Sequence, residues 1–135
     1  MAFELTEQVE RRLTGDEVAW LTTVTPEGKP APRPVWFVWD GAAIVIYSMN
    51  GAARLRYIEH NPQVTVHFNS VGGGDIVVIS GRAQRIVDAP LPSEFPGLLV
   101  KYGTLIEQMG ETPEWYDDNY GVALRIFPER SWGHA

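Results

Sequence analysis

Five consecutive large apolar residues run from Val35 to Trp39, and the segment leading into them carries prolines at positions 30, 32 and 34. This stretch, KPAPRPVWFVWDG, constrains the fold more than any other part of the chain. A strand with one wet face alternates apolar and polar residues, so a strand that is apolar throughout needs cover on both faces. In an extended chain Val35, Phe37 and Trp39 share one face, and Trp36 and Val38 share the other. Proline lacks an amide donor, so the Pro30 to Pro34 entrance cannot take full part in a ladder; it leaves an edge that does not pair freely. Two readings follow. Either this is a central strand packed on both faces, or one face fills a barrel while the other meets a planar ligand or a second subunit. Aromatic surface serves both kinds of contact.

The neighbouring patterns predict mostly hairpin-joined strands with helices at the periphery. Leu5, Val9 and Leu13 recur at helical spacing, which predicts a helix over Leu5–Leu13 stopped by Gly15. Strands are predicted over Glu17–Val24, Arg33–Asp40, Ala42–Ser48, Gln63–Asn69, Asp75–Val87 and Tyr120–Trp132, with turn chemistry at Pro26 to Gly28 and at Asp40-Gly41. Gly81, inside the fifth strand, marks a bulge or bend. A helix is predicted from about Asn50, as its cap, to His60, and another from Gly97 to Met109 with Gly110 beyond it. Thr112-Pro113 reads as a cap and first-turn proline for a short helix, PEWYDDN. The fold class expected is α+β: a split, antiparallel β-barrel of about six strands with peripheral helices, one domain over residues 1–135.

Composition narrows the partners. Net charge is −6, which disfavours nucleic acid and anionic membranes, since both recruit basic surfaces. The chain has no cysteine, which rules out a disulfide framework and fits a cytoplasmic protein; MAFELTEQVERR has no apolar signal core, and no run is long enough to span a membrane. His60, His67 and His134 have no metal-ligand spacing, so no metal site is expected, and His67 reads as a cross-strand contact. The glycines of VGGGD precede a strand rather than a helix, which excludes a nucleotide fingerprint and leaves a hairpin loop. Asp117 and Asp118 read as solvated. No acid, base or nucleophile constellation stands out, and no catalytic side chain is assigned. Arg54 and Arg56, in MNGAARLRYIEH, stand near a helix start where unpaired N–H groups favour anions. Residues two apart lie on nearly opposite sides of a helix, so a solvated face is the competing reading.

Together LTTVTPEGKPAPRPVWFVWDG, IVIYSMNGAARLRYIEHNPQVTVHF, GGGDIVVISGRAQ and VKYGTLIEQMGETPEWYDDNYGVALRIFPERSWG resemble the pyridoxamine-phosphate-oxidase-like, flavin-binding split-barrel superfamily. The resemblance covers nearly the whole chain in order and is closest to the branch that uses the deazaflavin coenzyme F420. It implies a homodimer with two cofactors at the subunit interface. It implies an oxidoreductase that passes a hydride from reduced F420 to a small conjugated acceptor, the cofactor carrying the chemistry. Pro34, Val35 and Trp36 would then line the ring pocket, with Ser48 and Met49 at the adjoining strand end. Arg54 and Arg56 stand where the family commonly has a K-x-R phosphate site, and Arg33 and Lys29 add charge. Gly74 and Asp75 would lie near the partner's site. The alternatives are an FMN-dependent oxidoreductase of the same fold and a non-catalytic flavin- or tetrapyrrole-binding protein.

Overall fold

The computed structural model describes residues 2–134. Four helices, α1 (Glu7–Gly15), α2 (Ala53–His60), α3 (Leu98–Gln108) and α4 (Pro113–Asn119), surround seven strands. These are β1 (Ala19–Val24), β2 (Pro30–Val35), β3 (Val38–Trp39), β4 (Ile44–Ser48), β5 (Gln63–His67), β6 (Ile76–Arg85) and β7 (Val122–His134). They form one antiparallel sheet in the order β2-β1-β5-β6-β7-β4-β3. The architecture is thus the α+β, antiparallel half-barrel anticipated above. The strand expected over Arg33–Asp40 is two strands, broken at Trp36 and Phe37, which raises the count from about six to seven.

That break explains the curvature. β2 and β3 are the two opposite edges of the sheet, yet only Trp36 and Phe37 separate them in sequence. Three Cα steps reach at most about 11 Å, so the two edges must come close and the sheet must curl. The link between them forms a seam. Val35, Phe37 and Trp39 turn into the barrel core with Leu21, Ile44, Ile46 and Val66, whereas Trp36 and Val38 pack outward against a second core beneath α3 and α4. β4 is buried at every position because it too separates the two cores. The continuous apolar run is therefore covered on both faces.

At β2, Pro30, Pro32 and Pro34 pair with Val24, Thr22 and Trp20. Alternate residues of an antiparallel strand direct their N–H groups to the same side. Prolines two apart therefore place every missing donor on the outer edge, and the ladder to β1 runs through Ala31, Arg33 and Val35. The outer edge cannot act as a donor for another strand.

Local chemistry shifts several boundaries. Thr6 caps α1 by accepting from the Val9 amide at 3.2 Å, so the helix starts after Leu5 and runs through Gly15. Asn50 does not cap α2. Its side chain accepts from Gly121 N–H at 2.8 Å and donates to the Asp118 carbonyl at 2.8 Å, and α2 begins after Ala52 with no side-chain cap. Thr112 does cap α4, accepting from Trp115 N–H. The β6–β7 register shifts between Ser80 and Gly81, the irregularity that a glycine there anticipated. His67 stands opposite Trp20 and stacks on it, with ring centroids 6.4 Å apart. No helix among the described residues is long and apolar enough to cross a membrane.

Candidate functional site

At the seam two neighbouring residues, Trp36 and Phe37, leave the sheet in mid-run. Phe37 is buried there, and its backbone groups need partners that no strand supplies. α3 supplies them. The Tyr102 hydroxyl accepts from Phe37 N–H at 2.9 Å and lies 2.9 Å from the Phe37 carbonyl and 2.8 Å from that of Glu17. The Lys101 ammonium donates to the Phe37 carbonyl at 2.9 Å and sits 3.7 Å from the Phe37 ring centroid. Burial lowers the Lys101 pKa to about 8 and pushes the Tyr102 hydroxyl well above the usual phenol range.

Trp36, on the outward side of the seam, joins a run of near-parallel rings. Its centroid is 4.5 Å from Tyr102 at 3° between planes, and 5.7 Å from Tyr116 at 10°. Tyr116 in turn stacks on Tyr120 at 4.5 Å and 11°. Such stacks add about 0.5–1.5 kcal/mol per pair beyond burial and fix ring orientation. Beside them lies a cavity of about 290 Å³. Pro34, Val35 and Trp36 form one wall, Met49 and Arg54 a second, and Met109, Trp115 and Tyr120 a third. The cavity is aromatic and apolar, with a single charged side chain, Arg54.

Arg54 is half-buried and has no carboxylate partner among the described residues. Burial lowers its pKa, and the nearby Arg33 cation lowers it further. A cation held in such surroundings gains most from an anion brought to it. Both tyrosines that crowd this side stay protonated: burial pushes Tyr47 up to about 12 and Tyr116 beyond the usual phenol range. They act as hydroxyls and not as phenolates.

The structure therefore brings together Pro34, Val35, Trp36, Met49 and Arg54. Arg33 is exposed on β2, where its guanidinium donates to the Pro32 carbonyl, close enough to act on Arg54 through its charge. Arg56 is exposed on α2 and does not line the cavity. Ser48 is fully buried and donates to the Met49 carbonyl. Gly74 and Asp75 do not line it either. Gly74 closes a tight turn through paired bonds with Val71, around Gly72 and Gly73, both at positive φ. Asp75 is bound by Arg11 at 2.9 Å and by Gln8 at 3.0 Å, and these bonds hold its carboxyl down to about 2.

The third wall escaped sequence reasoning. Its signal was the aromatic density of WYDDNY in a short, otherwise polar helix. Asp117, expected to be solvated, instead fixes this helix: it accepts from the Ser93 amide at 2.8 Å and the Ser93 hydroxyl at 2.6 Å.

A family model described as pyridoxamine 5'-phosphate oxidase matches residues 5–132. No curated protein sequence matches the chain significantly. Solved structures do. General stress protein 26 from Bacillus anthracis superposes with a TM-score of 0.72 at 22% identity, covering 96% of this chain and 93% of that one. An F420 reductase gives 0.65 at 21% identity, with 90% and 94% covered. HutZ, a heme storage protein from Vibrio cholerae, gives 0.66 at 16% identity, with 98% and 96% covered. At these identities the likeness shows the fold alone.

Proposed function

Because the chain belongs to the pyridoxamine 5'-phosphate oxidase family, we propose that it is an oxidoreductase whose cavity holds a flavin-class ring, with coenzyme F420 as the first candidate and FMN as the second. The observation that carries this reading is Arg54, a half-buried cation without a carboxylate partner among the described residues, at the end of an aromatic cavity. A planar ring with an anionic tail matches both features. When bound, such a cofactor supplies the hydride chemistry.

The chain's own residues bind and orient. Arg54 would meet the phosphate, with Arg33 and Arg56 adding attraction from the surface. The first turn of α2, which has no side-chain cap, adds backbone N–H groups to the same end. Pro34 and Val35 would bound the ring, and Trp36, held by its stack, would keep that wall fixed. Val18, Met109 and Trp115 would limit water around the ring. The acceptor proposed is a small conjugated molecule.

The same reading treats residues 1–135 as one cytoplasmic, cofactor-binding domain acting as a homodimer. Gly74 and Asp75, remote from the cavity of their own chain, would then serve the partner's site. Sedimentation of the purified protein tests the dimer.

Titration of ligand-free protein with F420 and, separately, FMN, followed by tryptophan fluorescence, tests the cofactor. Saturable quenching by F420 at lower concentration than by FMN is expected. The reverse order moves the protein to FMN, and no response to either removes the reading. Storage or carriage of a flavin or tetrapyrrole without turnover is the second reading, supported by the fold likeness to a heme storage protein. Tight binding with no reduction of any acceptor would favour it. A heme would need an axial ligand; no histidine lines the cavity among the described residues, so a methionine or tyrosine of its lining would have to serve.

A further inference from the structure

Two thioethers share the rim of the cavity. Met49 follows β4 and Met109 closes α3, far apart in sequence, yet both line the same space. Both are open to solvent, Met49 at 50% and Met109 at 53% exposure. They are the two methionines among the described residues. A single exposed apolar side chain is ordinary. Two that converge on one aromatic cavity, next to a cation without a carboxylate partner, set up a specific chemistry. Their backbones are fixed: the Met49 carbonyl accepts from the Ser48 hydroxyl at 3.1 Å and the Ala52 amide at 3.2 Å, and Met109 N–H donates to the Leu105 carbonyl at 3.0 Å. The two side chains are therefore anchored at the rim at their backbones.

We propose that Met49 and Met109 are sites of modification by hydrogen peroxide, and that their oxidation closes the cavity to its ring ligand. The inference rests on the function proposed above, because the affinity it changes is that for the ring ligand; the oxidant is hydrogen peroxide that reaches the rim from solvent. In the step itself a sulfur lone pair attacks one peroxide oxygen. An S–O bond forms, the O–O bond breaks, and the proton of the attacked oxygen passes to the departing hydroxide, which leaves as water. Sulfur loses two electrons and peroxide gains two. The product, a sulfoxide, is polar and a strong hydrogen-bond acceptor, and methionine sulfoxide reductases reverse it.

The cavity gives that oxygen two effects. It sets a polar group against an otherwise apolar wall, where the ring would lie. It also gives the Arg54 guanidinium an acceptor from within the chain, in competition with the anionic group of the ligand. Peroxide is small and both thioethers are open to solvent, so it reaches them without first entering the cavity.

The test treats purified protein with hydrogen peroxide, maps the added oxygen by mass spectrometry, and titrates with F420 and FMN before and after. One oxygen on each of Met49 and Met109 is expected, with ring affinity about tenfold weaker, the cost of an unmatched polar oxygen against the ring. Enzymatic reduction of the sulfoxides should restore the starting affinity. The Met49→Leu/Met109→Leu protein, whatever its starting affinity, should keep that affinity through peroxide treatment. Unmodified thioethers, sulfoxides without loss of affinity, or an equal loss in the double-leucine protein would each overturn the inference while untreated protein still binds the ring. Failure of untreated protein to bind either ring would instead overturn the function proposed and this inference with it.

Discussion

The Tyr102 hydroxyl accepts the Phe37 amide at 2.9 Å while the Tyr102 ring lies flat on Trp36 at 4.5 Å. One helical residue thus serves both members of the link that joins the two edges of the sheet. Phe37 has no ladder partner because the chain is leaving one edge for the other, and Tyr102 replaces that partner. The bond is made by a buried donor to a buried acceptor, where an unmet group is costly. The same residue keeps Trp36 in one orientation at the cavity wall. Closure of the barrel and definition of the cavity therefore share a side chain.

Replacing Tyr102 by Phe separates those two roles. The ring, and with it the stack on Trp36, is kept; the hydroxyl is lost and the Phe37 amide is left unpaired. A loss of about 1–3 kcal/mol in stability is expected, the cost of an unsatisfied buried donor. Urea unfolding checks it. An unchanged midpoint would mean that the Phe37 amide finds another partner and that the hydroxyl does not hold the seam.

The arginines should separate in the same way. Arg54 is half-buried at the cavity and Arg56 is exposed on the other side of α2. Arg54→Gln should weaken binding of FMN or F420 by about tenfold to a hundredfold, the worth of one charge-assisted hydrogen bond. Arg56→Gln should cost less than about 1 kcal/mol, and added salt should erase most of that difference. Titrations at low and high salt measure both. Equal losses at the two positions would reinstate the paired clamp that the family resemblance implied.

Two glycines make opposite predictions. A Cβ on Gly81 would overlap the Phe127 carbonyl oxygen, a backbone atom that cannot move without disturbing the β6–β7 ladder. Gly81→Ala should therefore destabilise by about 1–3 kcal/mol. Gly103, inside α3, has only the Leu99 Cβ near it, at 4.0 Å, so Gly103→Ala meets no obstacle. It should stabilise by about 0.5–1 kcal/mol through helix propensity. Chemical denaturation of both variants beside the parent decides the matter. A neutral Gly81→Ala would show that the register shift relaxes.

Much of the fold was legible because it rests on local periodicity. The alternation at Val35 to Trp39 assigns each side chain to its core, and it does so whether or not the strand is continuous. For that reason the pattern does not reveal the break at Trp36 and Phe37, whose backbone partners come from Tyr102, 65 positions away. Asn50 has the composition of a helix cap, yet long-range bonds to Gly121 and Asp118 take its side chain. The wall formed by Pro34 to Trp36 was implied by the family resemblance; the aromatic and proline chemistry of that segment by itself left a strand packed on both faces and a ligand-facing strand both open. Met109, Trp115 and Tyr120 reach the same cavity only through the packing of α3 and α4, which no repeat or spacing in the sequence encodes.

Asp75 supplies a test of pH dependence. Hydrogen bonds from Arg11 and then Gln8 dominate its environment and hold its folded-state pKa at about 2, against about 3.9 in an unfolded chain. The folded state thus favours the carboxylate, and the stability that follows is fully present above about pH 4. It is lost as pH falls toward 2, because the unfolded chain then takes up the proton first. Asp75→Asn removes this contribution while keeping an amide that tolerates the positive φ of 50° at this position. The variant should therefore be less stable than the parent near neutral pH, and the gap should close as pH falls from about 4 to about 2. Urea midpoints measured across that range, at constant ionic strength, give the answer. A gap that stays constant would mean that the bonds to Arg11 and Gln8 do not distinguish the carboxylate from its neutral form, and that α1 is fixed to this turn by Arg12, which donates to the Asp75 and Asn69 carbonyls.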